Sequence, residues 1–202
     1  LFSAPAYLLE ALTFPYQDGQ MFVATIHAAG GNAAVNRAFQ NPPLSTEQVM
    51  HPEKYLAAVP DVPRPVSIVI DAKPGWRKIH ENVVGELGIR ALFSQALGLE
   101  RAEPVAAGWG GDRYVVYETG KDQWIVIWKS VWDRPSDARE FFDALEDFHH
   151  ARYFSLNHPE KGDSGKNKKQ PSADSVFFSI ANQKQNLTID RDTVIYLDVP
   201  DA

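Results

Sequence analysis

The sequence contains no cysteine. That excludes disulfide staples, cysteine nucleophiles and thiolate-ligated zinc together, and leaves the compartment open, since a disulfide-free chain works anywhere. No apolar run approaches the roughly 20 residues that a membrane-spanning helix needs, and no signal-peptide pattern stands at the start. Positive charge is the minority sign, with 20 Lys and Arg against 26 Asp and Glu, a net charge of -6 and a pI near 5.5. A chain of this balance is ill suited to a phosphate backbone, which argues against nucleic acid as a partner. Familiar catalytic patterns are missing too. His80-Glu81 begins an HExxH zinc site, but Val84 stands where the second histidine must lie one helical turn on. The chain has no G-x-S-x-G, no P-loop and no dinucleotide fingerprint ahead of a helix.

What is present is ample core material: 44% hydrophobic residues and 11% aromatics in 202 residues, enough for one domain or a small helical layer plus one compact domain. Residues 3–12 and 16–29 predict two helices separated by Phe14-Pro15, with Tyr16, Gly19, Val23, Ile26, His27 and Gly30 at helical spacing. His27 on that stripe reads as a core or semi-buried histidine. Gly30-Gly31 ends the second helix, and 32–39 makes a third. The proline-rich run VPDVPRP at 59–65 is an extended connector. It divides a helical segment, 1–60, from an α+β domain, 61–202.

Within the second part, Val66 to Ile70 predicts a β-branched strand and 82–99 a helix with Ile89, Leu92, Phe93, Ala96 and Leu97 on one face. Glu86 falls close to that face, at the margin of the stripe or as a functional carboxylate. Gly108-Trp109-Gly110-Gly111 precedes a strand rather than a helix, so it reads as a tight turn or bulge and not a phosphate cradle. Asp112 opens that strand. Lys121-Asp122 turns it into a partner strand, 123–132, whose two apolar faces place it centrally in a sheet, with its tryptophans as core rather than a ligand-stacking wall. Pro135 starts a helix with Ala138, Phe141, Phe142, Leu145 and Phe148 as its buried stripe. His149 and His150 near its end face about 100° apart and cannot easily chelate one metal. Residues 157–172 form a polar insertion carrying Lys161, Lys166, Lys168 and Lys169, and 175–199 supply closing strands. The fold class expected is α+β: an N-terminal helical segment followed by a mainly antiparallel sheet with helices packed on it.

The densest local chemistry is the corner from Pro42 to Tyr55, PPLSTEQVMHPEKY. Pro42-Pro43 stops the preceding helix. Ser45 and Gln48 have the spacing of a capping box, and Pro52 drives His51 out of the α region, so the new helix is short. Glu47, His51, Glu53 and Tyr55 add more polar chemistry than a turn requires. The candidate binding residues are these four with Glu86 and Asp112. No catalytic and no metal-ligating residue is assigned. A small hydrolase with His51 as base, oriented by Glu47 or Glu53, is the enzymatic alternative.

Four segments in order, LTFPYQDGQMFV (Leu12 to Val23), PPLSTEQVMHPEKY, AAGWGGDRYVVYE (Ala106 to Glu118) and WDRPSDAREF (Trp132 to Phe141), resemble the C-terminal portion of a group of largely uncharacterised bacterial zinc-metallopeptidase-like proteins. The resemblance spans most of 7–145. It implies that an HExxH helix and a downstream glutamate lie upstream of Leu1, so no zinc ligand transfers to this chain. Zinc and peptidase activity would then belong to a longer precursor. The opening on Leu1 rather than Met reads as a fragment or processed product. The function so implied is a non-catalytic scaffold or recognition region, with a cell-envelope or exported location favoured. The alternative is a stand-alone binding or assembly subunit that docks on a protein or peptide partner. None of these features sets an oligomeric state.

Overall fold

The computed structural model describes residues 6–157, 174–180 and 183–200. Beyond its first residue, the predicted lysine-bearing insertion lies outside the described residues. Element order is α1 (Ala6–Gln40), α2 (Thr46–Met50), α3 (Pro52–Leu56), β1 (Arg77–Asn82), α4 (Gly85–Leu97), α5 (Leu99–Ala106), β2 (Trp109–Gly120), β3 (Gln123–Trp132), α6 (Pro135–Asn157), β4 (Ser175–Ile180), β5 (Gln183–Asp190) and β6 (Thr193–Pro200). These form two compact units. One holds the described residues up to Arg64 together with Val84–Gly110, and the other holds Pro65–Val83 with the described residues from Gly111 onward.

The first unit is helical. Its opening helix does not break at Phe14-Pro15 as expected. It runs on through Pro15, and its only non-helical residues are Gly30 and Gly31. A proline inside a helix removes one backbone donor. Nearby, the Thr13 hydroxyl donates to the carbonyls of Leu9 (3.0 Å) and Glu10 (3.3 Å), giving that turn side-chain hydrogen bonds of its own. Gly31, at φ +60° and ψ -159°, takes a conformation that side chains with a Cβ rarely adopt. The chain folds back there, so that Ala34, Val35 and Ala38 join Phe22 and Ile26 in one cluster, with Val49 and Tyr55 of the corner packed against it. Arg90 of α4 binds Glu10 (3.2 Å) and Asp18 (3.6 Å) of α1, and Ser94 also donates to Glu10 (2.9 Å).

Of the predicted stripe on α1, only Ile26 lies in the core. Phe22 and Ile26 are buried, whereas Tyr16, Val23, His27 and Gly30 are exposed. His27 is therefore a surface residue, contrary to the expectation of a core histidine.

The second unit is an antiparallel six-stranded sheet in the order β1-β2-β3-β6-β5-β4, with α6 packed on it. β3 is an inner strand, as its two apolar faces predict. Trp128 and Trp132 lie in the core against Phe141 of α6, at ring-centroid distances of 5.3 and 4.6 Å, while Trp124 at the strand's start is exposed. The first strand is not Val66–Ile70, which adopts no regular structure. It is Arg77–Asn82, an edge strand exposed throughout and paired with β2. Val66 is nonetheless buried, and its carbonyl accepts from Arg113 Nε at 3.1 Å.

Candidate functional site

The corner begins with local rules. Ser45 Oγ accepts from the Gln48 backbone N–H at 3.2 Å, capping α2. The returning half of the box is shifted by one residue: Gln48 Oε1 accepts from Leu44 N (2.7 Å) rather than from Ser45. Gln48 Nε2 also donates to the Asp61 carbonyl, tying the corner to the connector that follows α3. His51 ends α2 and stands before α3, whose first residue is Pro52, as the proline dictates. Its N–H reaches Glu47 O at 2.8 Å, and its carbonyl accepts from Lys54 N at 2.9 Å.

Side chains then converge on α4. Thr46 Oγ1 accepts from Leu87 N (3.4 Å) at the first turn of that helix. Gly85 beside it has φ +72°, and a Cβ there would stand 3.3 Å from Thr46 Oγ1. Three polar side chains are sealed at this joint, Glu47, Gln48 and Glu86, each 1% exposed. Glu86 is thus not at the margin of its helix, because α4 is buried continuously from Gly85 to Ile89. A carboxylate so placed needs a partner. His51 Nε2 supplies it at 2.7 Å, across 35 residues of sequence. The second oxygen, Glu86 Oε2, is buried with no hydrogen-bond partner.

Two charge pairs result. Lys54 Nζ donates to Glu47 Oε1 (2.6 Å) and lies 3.0 Å from Asp61 Oδ2. The ammonium thus bridges the Glu47 and Asp61 carboxylates. Burial pushes the Glu47 carboxyl up to about 7; Lys54 opposes this, while the Glu86 and Asp61 charges add to it. His51 is one-third exposed, and its hydrogen bond to Glu86 raises its pKa above the ordinary 6.5. Burial opposes that rise, and the charges of Glu86 and Glu53 reinforce it.

Glu53 is surface-exposed, with Oε1 3.7 Å from His51 Nδ1, beyond hydrogen-bond length. Tyr55 donates to the Asn41 carbonyl (2.6 Å) and packs edge-on to Phe22 at 5.2 Å. The structure therefore joins Glu47, His51, Glu53, Tyr55 and Glu86 in one region of the first unit. Asp112 belongs to the second unit, where its buried carboxylate accepts from Trp128 Nε1 at 2.9 Å. Lys54, Gln48 and Asp61 complete the corner and were absent from the predicted set. Among the described residues the ring nitrogens of His51 meet only carboxylates, Glu86 and Glu53. The arrangement suits proton-linked pairing.

The fold and site define an α+β protein whose helical unit carries a buried polar joint. Residues 73–202 match the family described as Domain of unknown function (DUF8575), and the chain belongs to that family. No curated protein and no solved structure matches it.

Proposed function

We propose that this chain is the non-catalytic scaffold or recognition region of a zinc-metallopeptidase-like protein, and that α1 docks it against the helical, zinc-binding part of that protein. The observation that supports this is the outward face of α1. Leu9, Leu12, Tyr16 and Val23 recur at spacings of three, four and seven residues, and all are exposed, Leu12 at 65% and Tyr16 at 78%. A periodic apolar stripe that its own unit leaves in water fits a partner's groove, in the manner of a helix bound through anchors at i, i+3 and i+7. Each such side chain gains about 1.5–3 kcal/mol when fully buried.

Charge narrows the occupant. From residue 6 to 36 the only charged residues are Glu10 and Asp18, and Arg90 pairs with both. With no lysine or arginine in this stretch, the stripe has nothing to draw it to an anionic lipid surface. An uncharged apolar protein groove is the better complement. Among the described residues no helix is long and apolar enough to cross a membrane. His51 and Glu86 offer two ligand atoms where a catalytic zinc takes three from protein, so this pair by itself makes no catalytic zinc site; in this reading the zinc belongs to the HExxH-bearing part.

The test is Tyr16→Glu in the protein as its own cells make it. Association with the HExxH-bearing part should be lost while the melting temperature of this chain stays unchanged. Retained association would rule out docking through this face. Binding instead to a second copy of this chain, or to vesicles, would replace the assigned occupant.

A further inference from the structure

We propose that the His51–Glu86 pair is a proton-operated latch, which fastens the proline corner to α4 while the imidazole is charged and releases it when the ring is neutral. The geometry has three parts. Glu86 is fully buried in the first turn of α4, whereas His51 lies at the junction of α2 and α3, so one 2.7 Å contact closes the joint between separate elements. The other carboxylate oxygen is buried with no hydrogen-bond partner, so the side-chain hydrogen bond across the joint is the one from His51. And the imidazole is one-third exposed, so protons reach it without the joint opening first.

The groups facing His51 are Glu86 from α4, and Glu53 and Lys54 from α3. The two carboxylates favour the charged ring, and the ammonium opposes it. Glu47 of α2 acts on the same joint by adding negative charge near Glu86. Loss of the imidazolium proton therefore removes the positive charge facing the buried Glu86 side chain and weakens the hydrogen bond that joins the two elements. A histidine whose folded pKa is raised lends stability that is complete below its unfolded value of 6.5 and disappears as pH climbs through the folded value. The latch is closed in mildly acidic surroundings and opens on the alkaline side. Its release would loosen Val49 and Tyr55 from the Phe22–Ile26 cluster. The latch holds or fails independently of what covers α1.

Proton NMR of the folded chain across the titration tests it. The His51 ring should titrate above 6.5, and the amide signals of Thr46–Leu56 should move with the same midpoint. In Glu86→Gln the ring midpoint should fall to 6.5 or below and the corner should stop following it. A wild-type midpoint at or below 6.5, or corner amides that ignore the ring, would overturn the latch. Should Glu86→Gln not fold, trypsin cleavage after Lys54 decides, normalised to a small peptide substrate. Cleavage of the wild type should rise several-fold between about pH 6 and about pH 8.5. In a Glu47→Gln background, which removes that residue's own titration, His51→Gln should abolish the rise; a rise that persists there would also overturn the latch.

Discussion

Gln48 shows how one residue can hold a corner. Its amide serves the Leu44 N–H in front and the Asp61 carbonyl behind while the side chain itself is buried. Gln48→Ala would orphan both groups, and each unsatisfied group costs about 1–3 kcal/mol. Urea unfolding should show that loss, with Ser45→Ala the milder change at about 1 kcal/mol for its cap. Glu47 makes a prediction in pH. Its folded pKa is about 7 against 4.5 for the ordinary carboxyl, so the fold prefers the protonated form. Stability should fall as pH rises from 4.5 to 7, and Glu47→Gln should flatten that slope in melting curves. At this scale the sequence reveals local partners only. The Ser45–Gln48 spacing is legible because both groups lie within one helical turn. The His51–Glu86 contact spans 35 residues, and no periodicity reports it. Glu86 looks marginal on a helical wheel because that projection cannot show a second element arriving over the helix's first turn.

Elements follow the same division. The order of strands and helices beyond the connector is readable, and so is the inner position of β3, because two apolar faces leave little alternative. The first strand is misplaced because β-branched composition reports a fit to a half-buried surface, not a backbone pairing. Arg77–Asn82 takes the edge of β2 with both faces in water, and therefore shows no alternation to read. Helix α5 lies unnoticed between the predicted helix and the glycine loop, although Ala102, Val105 and Ala106 mark a buried face at i, i+3 and i+4. In α1, Pro15 looks like a breaker but the break falls at Gly30-Gly31. Gly31→Ala should cost about 1–3 kcal/mol, since its conformation is almost confined to glycine, whereas Gly19→Ala should leave stability unchanged or raised, its nearest neighbour lying 3.8 Å from the added Cβ. Thermal melts of the two variants provide the comparison. In the sheet unit, Phe141 meets both Trp128 and Trp132. Phe141→Ala should cost about 3–5 kcal/mol, read by urea unfolding followed through tryptophan fluorescence.

For the molecule as a whole, two features set what the chain can do: a sheet unit whose Trp128 and Trp132 serve the core, and a helical unit that leaves an apolar stripe in water. Tyr16 and Val23 of that stripe are legible as periodicity, in a predicted face that also takes in the buried Ile26, whereas Leu9 and Leu12 lie outside it. Periodicity records that a face is hidden from water, and it cannot say whether the hiding surface lies in the same chain. That mismatch supports the reading of α1 as a docking helix in a larger peptidase-like assembly. The absence of cysteine and the sparse charge of α1 also make the face easy to probe. The decisive measurement places a photo-reactive phenylalanine analogue at Tyr16, in the protein expressed in its own cells, and identifies what it captures on irradiation. Docking predicts a cross-link to a helix of the zinc-binding, HExxH-bearing part, lost when Leu12 and Val23 are also changed to glutamate. A cross-link confined to lipid, or none at all while the chain is folded, would contradict it.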